Sequence, residues 1–168
     1  MSNVRKVLTV GLLVALVRVV APVAEAQSPI RIGASASKTG TYAAQGQNQL
    51  RGYQLCVKHT NERGGVLGRK IELVVEDDQS QPDTAIRIYE RLITQEKVDL
   101  VLGPFGSTMT EPVANVTEKY RMPMVAPTAA TTSIFKKGRK FIFMVVPDRK
   151  STRLNSSHLK LSRMPSSA

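Results

Sequence analysis

The chain has 168 residues, enough for one domain of ordinary size, and its 24 basic and 13 acidic residues give a net charge of +11. Its one cysteine excludes an intramolecular disulfide, and its two histidines argue against a metal site. Residues 27–147 hold 16 of the basic and 11 of the acidic residues, which is a net charge of +5. Much of the net positive charge of the chain therefore lies in the two end segments. The densest basic run, Lys136–Lys140, lacks the aromatic or repeated basic partners of a nucleic-acid patch. We therefore expect a solvated loop there and no nucleic-acid partner.

Residues 1–26 have the parts of a secretory signal peptide. A basic start is followed by an apolar run, Val7–Val17, and then by a small-x-small cleavage signal, Ala24–Ala26. A membrane anchor is the alternative, but Arg18 interrupts the run well short of the roughly 20 apolar residues that a spanning helix needs. We therefore expect this segment to be removed on export, so that the mature chain begins at Gln27.

The first predicted elements of the mature chain are a strand, a helix and a second strand. Ile30–Ser35 has apolar residues at every second position, as a strand does, and a turn is predicted over residues 38–47. The next apolar residues recur with the spacing of one helix face: Leu50, Tyr53 and Val57. Cys56 lies among them and is expected to be a small core residue. Lys70–Asp77 is the second strand, and its acidic end, Asp77–Asp78, is expected to be solvated.

The alternation continues in the second half of the chain. Pro82 suits the first turn of a helix whose apolar residues form a wide stripe for packing on a sheet. Val98–Gly103 is a nearly continuous apolar run, as in a strand covered on both faces. Pro112 is expected to open the next helix. The fourth and fifth strands are predicted at Met122–Pro127 and Phe141–Val146.

This order of strands and helices predicts the fold. Strands that alternate with helices form a parallel sheet with right-handed crossovers. Helices on both faces of the sheet make an α/β, doubly wound domain of three layers. Residues 27–147 contain no internal repeat and no sign of a second domain.

The segment from Asp148 onward differs in composition from the rest. It is rich in Ser, Arg and Lys, and its apolar residues keep no regular period, which indicates a disordered tail. Asp148–His158 and Ser162–Ala168 also resemble translations of the two ends of a common sequencing-library adapter. We expect residues 148–168 to be an assembly artefact and the natural chain to be truncated near Pro147.

Polar loops follow the carboxyl ends of the predicted strands, where ligands bind in an open parallel sheet. Two of these loops, residues 103–110 and 127–133, place hydroxyl residues where a helix begins. Ser107, Thr108 and Thr131 could add hydroxyl groups there to free backbone N–H donors, a combination that suits a carboxylate. The alternative is ordinary N-capping, in which the hydroxyls satisfy only their own helices, and spacing alone favours it.

The sequence has no motif for catalysis or for a cofactor. The first loop, GTYAAQG, lacks the leading Gly-x-Gly of a dinucleotide site, and no Gly-Lys-Ser/Thr is present. Ser107 is not part of a Gly-x-Ser-x-Gly elbow, and His59, the one histidine of residues 27–147, has no evident partner. We expect no enzyme activity, no cofactor and no metal.

Four successive stretches resemble the signature blocks of one family: residues 30–55, 61–85, 98–114 and 122–132. They are similar to periplasmic binding proteins of the leucine/isoleucine/valine type, which serve ABC importers and include binders of amides, urea and aromatic acids. The resemblance implies a two-lobed, hinged receptor in the periplasm that closes on a small solute and delivers it to a permease in the inner membrane. Residues 27–147 would be the N-terminal part of lobe one, and the second lobe would lie beyond Pro147.

The resemblance also implies roles for several residues. In branched-chain amino-acid members, a Ser after the third strand and a Thr after the fourth bind the α-carboxylate of the ligand. Those positions match Ser107 and Thr131 here. Ala129 and Ala130 lie beside Thr131 and would supply backbone contacts.

The first loop departs from the branched-chain pattern. Gln45 stands where those members often have a Tyr, and Tyr42 lies three residues earlier. The resemblance therefore implies a receptor for a small carboxylate-bearing solute, a branched-chain or other amino acid, without naming it. The alternative is a periplasmic ligand-sensing receptor domain for amides or aromatic acids.

Overall fold

The fold is described by a computed structural model that covers residues 27–145. The expected signal peptide, residues 1–26, and the expected tail, residues 148–168, lie outside the described residues. Between residues 27 and 145, none of the helices has the length and apolar character needed to cross a membrane.

Strands and helices alternate along the described chain, as predicted. In chain order they are β1 (Ile30–Ala36), α1 (Ala43–Glu62), β2 (Ile71–Asp77), α2 (Pro82–Thr94), β3 (Leu100–Leu102), α3 (Gly106–Lys119), β4 (Met124–Ala126), α4 (Ser133–Lys136) and β5 (Ile142–Met144).

The strands form one parallel sheet in the order β2-β1-β3-β4-β5. This order confirms the predicted doubly wound α/β fold. β1 and β2 pair over seven residues, whereas β3, β4 and β5 have three residues each and are shorter than the apolar runs predicted for them.

The core lies between the sheet and the helices α2 and α3. Val101, Met124 and Ile142 follow one another in register across β3, β4 and β5, and all three are buried. The helices contribute further large side chains that are fully buried, among them Leu92 of α2 and Met109 of α3. Burial of such side chains supplies most of the favourable free energy of folding.

The opposite face of the sheet is covered less completely. α1 packs there against β1 and β2, but Gly46 is its one fully buried residue. Leu102, Val125 and Phe143 are in register on this face; Leu102 and Val125 are half-buried, and Phe143 is 54% exposed. Cys56 is exposed on α1, so the expectation of a core cysteine is wrong. The physical reason is that α1 buries only its first turn deeply.

The helix α3 begins at Gly106, six residues before the predicted start at Pro112. Pro112 therefore lies inside the helix and cannot donate the hydrogen bond that the N–H of another residue would make. The apolar side of α3, with Met109, Val113 and Val116, is buried against the sheet and α2. This tertiary packing outweighs the local cost of the proline.

The helix α1 also begins earlier than predicted, inside the segment assigned to a turn. Gly46 lies in its first turn, where a Cβ atom would collide with the backbone of Ser37. The glycine is thus needed for close packing of α1 on the loop after β1, and not for a turn.

Candidate functional site

The carboxyl ends of the parallel strands meet at one edge of the sheet. β1 and β3 are neighbours, but the chain continues from β1 to β2 on one side and from β3 to β4 on the other. Such a reversal leaves a crevice between the two loops, and open parallel sheets bind ligands there. The predicted site residues lie in the loops that follow β1 and β4 or in the first turns of the helices α1 and α3, which follow β1 and β3.

Ser107 and Thr131 lie together at this edge. The backbone N–H of Thr131 donates a hydrogen bond to Oγ of Ser107 at 3.2 Å. Ser107 is the second residue of α3, and Thr131 lies two residues before α4. Because Ser107 accepts this bond through its oxygen, its own O–H remains a donor. The exposed Thr131 adds a second hydroxyl beside it.

Two further hydrogen bonds join the same two loops. The hydroxyl of Thr128 accepts the N–H of Gly106 at 2.9 Å and donates to the carbonyl of Pro104 at 3.3 Å. Gly106 has a φ of 76°, a left-handed conformation that favours glycine. The start of α3 is therefore held in place by the loop after β4.

Capping does not explain the hydroxyl groups. The N-cap residues are Phe105 for α3 and Thr132 for α4, and neither helix has a side-chain cap hydrogen bond. The alternative that spacing alone favoured is therefore wrong here. The N–H groups of Ser107 and Thr108 lie in the first turn of α3, where a helix supplies no acceptor of its own.

The donors of this edge are neutral. Ser107, Thr108 and Thr131 carry no charge, so an anion there would be held by hydrogen bonds and by the positive end of the helix dipole. Within residues 27–145, no three His, Cys, Asp or Glu side chains are grouped as a metal ion requires.

The other predicted site residues differ in their exposure to solvent. Ala129 is fully buried, and Ala130 is half-buried beside it. Thr108 is exposed one position after Ser107. Gln45 is exposed in the first turn of α1, and no hydrogen bond within the described chain joins it to the other candidates.

Tyr42 pairs with Phe105, which the sequence did not indicate as a site residue. Its ring lies 5.7 Å from the ring of Phe105, centroid to centroid, with 50° between the ring planes. Both side chains are half-buried. Tyr42 belongs to the loop after β1 and Phe105 to the loop after β3, so the two rings meet at the crevice. The signal in the sequence was a large ring within the otherwise small residues of GPFG.

Asp78 is buried, although the sequence suggested a solvated strand end. Its carboxylate accepts hydrogen bonds from Ser35 Oγ at 2.7 Å, from Ser37 Oγ at 2.6 Å and from the N–H of Ser80 at 3.0 Å. The residue is fully buried. Asp78 thus joins the loop after β2 to the end of β1.

Asp77, next to it, is half-buried and ties down the loop after β1. Partial burial alone would raise the pKa of Asp77, but hydrogen bonds from the N–H of Gln79, the hydroxyl of Thr39 and the N–H of Lys38 hold its pKa below the usual value. The two acids together fix the backbone that carries Tyr42.

The helix α1 fixes the loop after β3. The side-chain amide of Gln49 and the hydroxyl of Tyr53 both donate to the carbonyl of Gly103, at 2.9 and 3.0 Å. Burial raises the pKa of Tyr53 well above its usual value. The sequence indicated Tyr53 only as part of an apolar helix face, because its partner lies 50 positions away.

Comparison with known proteins agrees with this architecture. Residues 29–154 match the family described as "Periplasmic binding protein". The chain is 34% identical over 118 residues to a Leu/Ile/Val-binding protein of Rhizobium johnstonii, covering 70% of this chain and 31% of that protein. It is 29% identical over 121 residues to a leucine-, isoleucine-, valine-, threonine- and alanine-binding protein of Pseudomonas aeruginosa, covering 72% and 32%.

A solved structure has the same fold. The branched-chain amino acid transporter substrate-binding protein of Streptococcus pneumoniae, determined in complex with isoleucine, has a TM-score of 0.69 and 29% identity, covering 79% of this chain and 39% of that chain. The present chain spans about a third of the length of the curated relatives it matches. The family match, the parallel sheet and the agreement of fold together show that the chain belongs to the periplasmic binding protein family.

Proposed function

We propose that residues 27–145 form the first part of a lobe in a solute receptor of an ABC importer. The receptor captures a small carboxylate-bearing solute, an amino acid or a related acid, and delivers it to a permease in the inner membrane. Residues 1–26 direct the protein to the periplasm and are then removed. The names of the relatives, which bind leucine, isoleucine and valine, support an amino acid as the first solute to test.

The observation that carries the proposal is the pairing of Ser107 with Thr131. A carboxylate has two oxygens that each accept hydrogen bonds, so it is suited to a place where two hydroxyl groups and first-turn N–H groups converge. The 3.2 Å bond between the Thr131 N–H and Ser107 Oγ keeps the two residues in one arrangement before any solute arrives. A preformed arrangement lowers the entropy that binding must overcome.

The proposal is tested by calorimetry on the complete protein that carries this segment. We expect Ser107→Ala to weaken the binding of L-leucine or L-isoleucine by about 10- to 100-fold, because a hydrogen bond to a charged group contributes about 1.5–3 kcal/mol. Leucinamide, which lacks the carboxylate, should bind much more weakly than leucine to the unsubstituted protein. Unchanged leucine affinity in Ser107→Ala would contradict the proposed role.

Thr94→Ala is the matched control. The Thr94 hydroxyl donates to the carbonyl of Glu90 within α2 at 2.7 Å. Thr94 ends α2, and the chain then enters β3, so this hydroxyl lies toward the opposite edge of the sheet. The substitution removes a hydroxyl of the same kind and should leave solute affinity unchanged.

A further inference from the structure

We propose that Tyr42 and Phe105 form an aromatic wall beside Ser107 and Thr131, and that this wall selects aromatic carboxylates over aliphatic ones. The inference rests on the proposed function, since it assigns the solute class of the same site. The aromatic wall contacts the body of the solute, whereas Ser107 and Thr131 bind its carboxylate.

The position of the aromatic wall follows from the sheet order. β1 and β3 are adjacent, and their loops border the crevice at the strand-order reversal. Tyr42 comes from one border and Phe105 from the other, with ring centroids 5.7 Å apart. Phe105 immediately precedes α3, two residues before Ser107. We therefore place the body of a solute beside these rings when its carboxylate reaches Ser107.

The backbone on the Tyr42 side is held by several hydrogen bonds. The N–H of Tyr42 donates to Oγ of Ser80 at 3.0 Å, and that oxygen donates to the carbonyl of Thr39 at 2.8 Å. Ser80 is itself bound to the buried Asp78. Gly40, with a φ of 80°, lies so close to Ser80 that a Cβ atom would not fit. The loop that carries Tyr42 is thus closely packed.

The backbone on the Phe105 side is anchored before and after the ring. The carbonyl of Gly103 accepts from Gln49 and Tyr53, and the N–H of Gly106 donates to Thr128. Phe105 lies between these two anchors. Two rings held in this way need little further ordering when a solute binds.

The geometry of the rings favours an aromatic partner. Aromatic rings attract one another in tilted or offset arrangements with centroids about 4.5–7 Å apart, and such pairs contribute beyond simple burial of area. With 50° between their planes, the two rings do not stack face to face and can present an edge or a face to a third ring. A branched aliphatic solute would gain only the burial of its area.

The test compares two solutes in the complete protein by calorimetry: benzoate as the aromatic carboxylate and L-leucine as the aliphatic one. We expect benzoate to bind, and Phe105→Leu to weaken benzoate about 3- to 10-fold while leucine changes less than about twofold. Tyr42→Phe keeps the ring and should keep the ratio of the two affinities. Tyr42→Leu removes it and should lower benzoate affinity in the same way as Phe105→Leu.

Phe141→Leu is the matched control, because Phe141 is also half-buried but precedes β5 and so lies toward the opposite edge of the sheet. The inference is overturned if Phe105→Leu changes both affinities by the same factor, or if Phe141→Leu shifts their ratio as much. It is also overturned if benzoate does not bind while leucine binds with dependence on Ser107, a result that leaves the proposed function standing. Binding of neither solute would count against both.

Discussion

At the scale of single residues, the carboxylate of Asp78 holds the loops after β1 and β2 together. It is fully buried, and removal of a carboxylate from water is costly unless its oxygens are hydrogen-bonded. Ser35, Ser37 and the backbone of Ser80 supply those bonds at 2.6–3.0 Å. Asp78 therefore stabilises the fold and, through Ser80, the position of Tyr42.

We expect Asp78→Ala to lower the free energy of unfolding of the complete protein by about 2–4 kcal/mol, because it leaves two buried hydroxyl groups and one N–H without their acceptor. Urea unfolding followed by circular dichroism measures this loss. The control is Asp83→Ala, an exposed acid in the first turn of α2, for which we expect less than about 1 kcal/mol. A similar loss in both variants would contradict the role given to Asp78.

At the scale of elements, acidic residues of α3 hold the segment that leads to β5. Glu111 pairs with Lys137 at 2.6 Å and with Arg139 at 3.1 Å, and Glu118 accepts the N–H of Phe141 at 3.1 Å. The side chain of Arg139 is only 7% exposed. The basic run of residues 136–140 is therefore not simply the solvated loop that composition suggested.

These pairs make stability depend on pH. The hydrogen bond from Lys137, followed by that from Arg139, holds the pKa of Glu111 below its usual value. A carboxyl with a lowered folded pKa stabilises the fold above its unfolded pKa of about 4.3, and this contribution is lost as the pH falls through the folded pKa. We expect the free energy of unfolding to fall below about pH 4.3, and Glu111→Gln to remove part of that fall.

The measurement is the urea unfolding free energy at a series of pH values between about 7 and 2. Glu62→Gln is the control, because Glu62 is exposed and its partner Lys58 is 3.9 Å away. That variant should keep the pH dependence of the unsubstituted protein. If Glu111→Gln keeps it as well, Glu111 does not supply the effect.

At the scale of the whole molecule, the described chain offers one open side of the proposed binding site. Thr108 and Thr131 are exposed, and the sheet face with Phe143 is incompletely covered. Ligand sites usually bury most of the surface of a small solute. The matched relatives are about three times as long as the matched segment, which leaves room for a second wall.

We therefore expect the 168-residue chain to bind its solute at least about tenfold more weakly than the complete protein, because only one side of the solute leaves water. Calorimetry on both proteins with a panel of amino acids and aromatic acids measures the difference. Equal affinities would show that residues 27–145 suffice for binding.

Much of the fold was predictable from short-range patterns. The apolar period of Ile30–Ser35 and the apolar run of Val98–Gly103 depend on neighbours along the chain, and both became parallel strands. The start of α3 was not predictable in this way. Pro112 is a strong local signal, and only burial of Val113 and Met109 against the rest of the core overrides it.

Local patterns were enough to predict the alternation of strands and helices and the small hydroxyl residues that follow β3 and β4. Backbone preference and apolar period act over a few residues, so they can be read locally. In contrast, the burial of Asp78 and the pairing of Tyr42 with Phe105 arise from the assembled sheet. These facts depend on the sheet order, which places β1 beside both β2 and β3, and its paired residues in β3 are 68 positions away along the chain. Pairing at that distance is set by packing of the whole sheet, and no local pattern encodes it.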